Sequence, residues 1–261
     1  DLATGTAAGE ALLCVAALGC GEGQDPGPGS DPEPDARPGL PALILSNPSV
    51  PGGPDTAGSR DALVDAVAYA SLPPGSMSDA KLVLFTNLTT GAGATVVVAN
   101  GGFDPVPIPA VVGDSLRIRI QFDGQAGERD FYAKLAPRRP PRVVRSSPSP
   151  GRSDVPLSSR MYVVFSEPMS AALLADSAVH LSADGVQVPG TLAFADSAHL
   201  SVSFTPAEPL AAGTSYSLHI TSVARDAGGD GLEAPVVISF STPEGSTPPR
   251  DSTGSPPDSA S

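Results

Sequence analysis

The sequence has no tryptophan, and its aromatic content is four tyrosines and eight phenylalanines. Sugar rings stack on exposed aromatic faces, so glycan recognition is left a thin platform. Tyr69 and Tyr216 fall on the apolar phase of strand-like segments, and Tyr132 and Tyr162 on the opposite phase. Cysteine is almost as scarce. Both cysteines, Cys14 and Cys20, lie close to the start, so the region after residue 20 has no disulfide, no cysteine–metal site and no thiol nucleophile. Lysine occurs twice, at Lys81 and Lys134, and the formal net charge is −13. A chain this acidic, with scattered arginines, lacks the cationic surface that displaces counterions from nucleic acid. The trio Arg138, Arg139 and Arg142 sits among prolines and reads as a solvated linker.

Catalytic signatures are missing as well. There is no Gly-x-Ser-x-Gly elbow, no P-loop, no His-Glu-x-x-His and no dinucleotide-binding glycine motif after a strand. The three histidines, His180, His199 and His219, each fall on the polar phase of a predicted strand. Neighbouring strands would bring them together on an outer face able to bind zinc. Without a further ligand at a characteristic spacing they read as solvated strand histidines. The turn from Asp226 to Gly231 holds two acids among glycines, fewer oxygens than calcium takes, and reads as a strand connection. Glu167 and Asp176 carry no sign of sharing a cleft. The expectation is a protein that is not an enzyme and has no metal and no cofactor.

What is present is alternation. Met161, Val163 and Phe165 alternate with Arg160, Tyr162 and Val164; Leu200, Val202 and Phe204 with His199, Ser201 and Ser203. Tyr216, Leu218 and Ile220 repeat the pattern, as do Val236, Ile238 and Phe240. A period of two buries one face and solvates the other, which predicts antiparallel sheets packed as a sandwich. Leu210, Gly213 and Tyr216 have the spacing of a tyrosine corner, in which a buried phenol bonds to upstream backbone and glycine permits the sharp turn.

These segments carry a family resemblance. Phe165-Ser166-Glu167-Pro168-Met169, Phe204 to Pro206, Pro209 to Tyr216, the Asp226 to Gly229 turn and the closing Phe240 to Thr242 resemble the bacterial SbsA-type Ig-like domain, a family named for S-layer proteins. Gly229-Asp230 stands where Gly-Asn is usual. The resemblance implies an Ig-like surface or structural module over residues 138–243, with Tyr216, Gly213, Phe165, Pro168 and Asp226 as structural residues and no catalytic ones.

The rest of the chain divides by composition. Residues 11–19 are a short apolar run ending at Cys20, too short to span a bilayer but of signal-segment length. Leu18-Gly19-Cys20 resembles a bacterial lipobox, although Ala17 stands where leucine is usual and no Lys or Arg precedes the run. The resemblance makes residues 1–20 a lipoprotein-type leader and Cys20 a lipidation site, with a membrane as partner. Residues 21–41 are a Pro/Gly/acidic linker, semi-extended at roughly 3 Å per residue.

Residues 42–137 hold six predicted strands, at 42–46, 64–70, 80–87, 94–100, 114–122 and 129–136, separated by turn chemistry such as Asn100-Gly101. They predict a second sandwich, loosely similar to other bacterial Ig-like and carboxypeptidase-regulatory-like domains. Ser170 is a candidate N-cap for a short helix over 170–176. Residues 244–261 are a Ser/Pro/Gly/Asp tail read as disordered. The expected fold class is therefore all-β, with two Ig-like antiparallel sandwiches in tandem. The expected role is an exported cell-envelope spacer or interaction module with an envelope protein or glycan partner. A carbohydrate- or ligand-binding module, or an accessory part of an exported enzyme system, is the alternative.

Overall fold

The computed structural model describes residues 42–49, 66–124, 127–175 and 177–244. The leader, Cys14, Cys20, the linker and nearly all of the tail lie outside them. The chain divides into two compact units, residues 1–32 and 33–261, and every described residue belongs to the second. None of the described helices is long and apolar enough to cross a membrane.

Fifteen strands are described: β1 (Ile44–Leu45), β2 (Val67–Leu72), β3 (Ala80–Asn87), β4 (Gly93–Val97), β5 (Phe103–Pro109), β6 (Ser115–Phe122), β7 (Glu128–Lys134), β8 (Val143–Ser147), β9 (Met161–Phe165), β10 (Val179–Ala183), β11 (Val186–Val188), β12 (Gly190–Phe194), β13 (Ser201–Pro206), β14 (Ser215–Ile220) and β15 (Val236–Ser241). They form four antiparallel sheets, ordered β1-β2-β5, β4-β3-β6-β7, β12-β13-β9-β8 and β11-β10-β14-β15. The fold is all-β.

Two separate cores follow from the alternation. In the first, Val83, Phe85, Leu116, Ile118 and Ile120 from β3 and β6 face Ala68, Ala70, Leu72 and Ile108 from β2 and β5. Phe85 meets Phe103 edge-on across the two sheets, with ring centroids 6.1 Å apart. In the second, Met161, Val163, Phe165, Val202 and Phe204 pack on Leu181, Tyr216, Leu218, Ile220, Ile238 and Phe240. Burying one such large apolar side chain contributes about 1.5–3 kcal/mol, so each core rests on its sheets without cross-links.

The prolines of β5 explain why sequence reading passed this strand over. Pro105, Pro107 and Pro109 fall at every second position. The intervening residues face the β2 ladder, and the Ala110 N–H continues the series by donating to Ala66. All three missing N–H groups therefore lie on the open side of an edge strand, where no ladder bond is lost. At the preceding hairpin, Asn100 and Gly101 take φ of 52° and 70°, and Ala99 and Gly102 exchange backbone hydrogen bonds. This is the left-handed pair that a two-residue hairpin turn requires.

Three local expectations need correcting. The segment after Ser170 is a single 3-10 turn, Ala171–Leu174, and Ser170 makes no side-chain capping bond. His199 is not on a strand: it occupies a turn with φ 58°, and β13 starts at Ser201. Val164, on the outward phase, is nonetheless buried.

Candidate interface at the joint between the sandwiches

The Phe165 to Met169 turn and the Asp226 to Gly229 turn are far apart in sequence but meet at one end of the second sandwich. Phe165 anchors the first turn in the core. The Ala227 N–H donates to the Pro168 carbonyl at 2.9 Å, and Met169 bridges to Asp226. Asp226 is buried and closes its own loop: its Oδ1 accepts the Asp230 N–H at 2.7 Å, and its N–H donates to the Asp230 carbonyl at 2.9 Å. Arg225 caps the loop by donating to the Gly229 carbonyl. Glu167 is buried beside these groups.

The connecting segment runs against this end, and its arginines, with Arg138 and Arg142 exposed to solvent, are nonetheless paired rather than free. Arg138 forks onto the Asp230 carboxylate, with Nε 3.1 Å from Oδ2 and Nη2 on Oδ1. Arg139 donates to the Lys134 carbonyl, and its own carbonyl accepts from the buried Asn47 side chain. Burial, and behind it the Arg142 charge, lowers the affinity of Arg139 for its proton, while Glu167 pulls the other way. Arg142 reaches Glu233 at 3.1 Å, and its N–H donates to Ser166 Oγ. A bulge between Val143 and Arg145 turns Val144 inward and sends Arg145 out. Arg145 Nε and Nη2 then donate to Asp104 Oδ1 and Oδ2 at 2.6 and 2.7 Å, tying β8 to β5. Bidentate arginine–carboxylate pairs fix orientation as well as distance. This seam is what the reading of a proline-spaced linker missed; the signal available was three arginines in one acidic chain.

A groove of about 750 Å³ opens beside the seam, between β8 and the first half of β15. It exists because the chain changes sheets after β8. Gly151 and Val155 donate to Ser239 and Ser241, and Ser241 donates back to Arg152, so the end of β15 is covered and its beginning is not. Val143, Leu232, Val236 and Ile238 line it, with Pro73 and Pro74 from the first sandwich on the rim.

The other residues singled out in the sequence lie elsewhere. Tyr216 is buried, and its Oη accepts the Ala211 N–H at 2.8 Å. Gly213 turns the chain there with φ 63°. Thr242 seals the same corner, its hydroxyl donating to the Ala211 carbonyl at 2.6 Å and accepting the Thr214 N–H at 3.1 Å. Tyr69 is buried, Tyr162 is 37% exposed and Tyr132 half-buried, so no two exposed tyrosines make a platform among the described residues. The histidines are not three separate solvated groups. His180 and His219 stack on each other, whereas His199 stacks on Phe194 with centroids 3.9 Å apart. No cluster of three or more His, Cys, Asp or Glu side chains that would hold a metal occurs among the described residues.

Comparison with known proteins places the second sandwich. Residues 137–242 match the family described as bacterial Ig-like domain. The Ig-like assignment thus rests on the half of the fold that contains the joint turns, the groove strands and the tyrosine corner. No curated protein matches the chain significantly. Among solved structures, the N-terminal part of the bacterial S-layer protein SbsC is 18% identical over 40% of this chain and 24% of its own, with a TM-score of 0.32. The BSP domain of a biofilm-associated protein is 14% identical over 76% and 30%, with a TM-score of 0.34. A chimeric titin Z1Z2 is 15% identical over 78% and 97%, with a TM-score of 0.26. The chain thus spans less than a third of the length of the S-layer and biofilm structures it aligns with.

Proposed function

We propose that this is a non-enzymatic, exported bacterial envelope protein whose Ig-like sandwiches act as a structural spacer or interaction module at the cell surface. In this reading residues 1–20 are a leader ending in a lipidated Cys20, and 21–41 a semi-extended tether. Residues 42–137 and 138–243 are the two sandwiches, and 244–261 a free tail. The observation that supports it most is the use of the motif residues. Phe165, Pro168, Asp226 and Asp230 are engaged in packing the bacterial Ig-like domain and closing its joint to the preceding sandwich. Holding one module at a set angle to the next is what a spacer needs. Two or more acyl chains on Cys20, at about 0.8 kcal/mol per buried methylene, would anchor it stably.

The test is fractionation and surface labelling in the native host. The wild-type protein is expected in the membrane fraction with a diacylated or triacylated Cys20, and a C-terminal epitope is expected to be reached by antibody on intact cells. Cys20→Ser is expected to move the protein to the soluble fraction. Membrane retention of Cys20→Ser would overturn the anchor, and an epitope reached only after lysis would overturn the surface location.

A further inference from the structure

The register of β10 and β14 sets His180 directly opposite His219. Their rings lie face to face, with centroids 4.8 Å apart and planes 12° from parallel. Ser182, two residues along β10, bonds to one nitrogen of the His219 ring. Its hydroxyl donates to the Ser217 carbonyl at 3.4 Å and lies 2.9 Å from His219 Nε2. A hydroxyl both donates and accepts, so Ser182 holds Nε2 in either tautomer of the ring and leaves Nδ1 outside this bond. A ring nitrogen held in this way by an outer partner is the arrangement that orients an imidazole for a metal.

The surroundings favour the neutral, ligating form. Val237 stands beside His219 in the same cross-strand row, and the next row reads Gln187, Ser182, Ser217 and Ser239. None of these cross-strand neighbours is charged, so none stabilises an imidazolium. Burial, and after it the facing His180, pushes the His219 pKa below its ordinary value. Both side chains are half-buried on the outer face of the sheet, so an ion has direct access.

We propose that His180 and His219 form a two-imidazole site for a borderline divalent transition-metal ion, with water completing the coordination. The stacked rings are the metal-free arrangement. Each ring must turn about its terminal torsion so that one nitrogen from each approaches the ion to about 2.0–2.1 Å. With nitrogen ligands and no imposed geometry, copper(II) binds more tightly than nickel(II) or zinc(II). Two protein ligands make the site exchangeable, and the fold does not depend on its being filled.

The experiment is calorimetric titration of the full chain with copper(II) and zinc(II) chloride at pH 7.5, with proton NMR of the imidazole C–H resonances. One ion per chain is expected, copper tighter than zinc, with copper broadening confined to His180 and His219. Because the ion binds the neutral imidazoles and competes with protons for them, affinity is expected to fall as the pH is lowered from 7.5 to 5.5. His180→Ala and His219→Ala are each expected to weaken binding at least tenfold, while His199→Ala leaves it unchanged. Undiminished copper binding in the His180→Ala/His219→Ala double variant, equal loss in His199→Ala, or broadening centred away from the pair would overturn the proposal. So would no heat and no broadening with wild type.

Discussion

Tyr216 combines two interactions that substitution can separate. Its ring lies 5.6 Å from that of Phe240 inside the second core, and its oxygen accepts the Ala211 N–H. Tyr216→Phe keeps the ring and removes the acceptor, leaving a backbone donor without its partner. A destabilisation of about 1–3 kcal/mol is expected in urea unfolding, with the slope unchanged; an unmoved midpoint would show that Ala211 finds water instead. His219 gives a pH dependence of known sign. Its folded-state pKa is lowered, by burial first and by His180 second, so the folded state resists the proton. Its contribution is fully present above the unfolded value near 6.5 and is lost as pH falls through that value towards the lower folded one. NMR titration should place His219 below the ordinary histidine value, and His180→Ala should raise it part of the way back.

At the scale of elements, the two sandwiches use glycine and proline as positional devices. Gly93 opens β4 where a Cβ would run into the Phe85 carbonyl oxygen of β3. Backbone cannot give way as a flexible side chain can, so Gly93→Ala should force β4 off its register. A loss of about 1–3 kcal/mol is expected, the range typical of forced backbone shifts, with amide exchange accelerated in β4 and unaltered in β14 and β15. Uniform acceleration throughout would mean that the strand is not separable from the rest. The prolines of β5 act differently: they cost the ladder nothing and leave that edge short of donors, which discourages pairing with another chain.

At the scale of the molecule, orientation is set by few contacts. Arg145 with Asp104 and Arg138 with Asp230 are exposed pairs, each contributing at most about 1 kcal/mol. Two such pairs orient modules that each have their own core; neither core depends on them. Asp104→Asn with Asp230→Asn should therefore leave the melting temperature within a few degrees while broadening the distance distribution between spin labels on β4 and β11. High salt should broaden the wild-type distribution in the same direction. A distribution unmoved by both would place the stiffness in the proline-flanked backbone alone.

How much of this was legible in the residues depends on range. Period-two alternation exposes its buried face wherever it occurs, so the apolar rows around Ile118, Val163 and Leu218 could be read without coordinates, as could the Asn100-Gly101 turn and the tyrosine-corner spacing. These are local consequences of side-chain direction and backbone sterics. The prolines hid β5, because a strand with three missing donors is tolerable only at an edge, and edges are a property of the sheet order.

The joint and the histidine pair were out of reach for the same reason. Asp104 and Arg145, or His180 and His219, are separated by some forty residues, and no spacing rule connects them. Sequence by itself determined which residues turn inward and that β-sheets would result. Tertiary structure alone decided which strands became neighbours. It thereby decided which outward residues face each other, because register and sheet order arise from packing two apolar faces together rather than from any one strand's pattern.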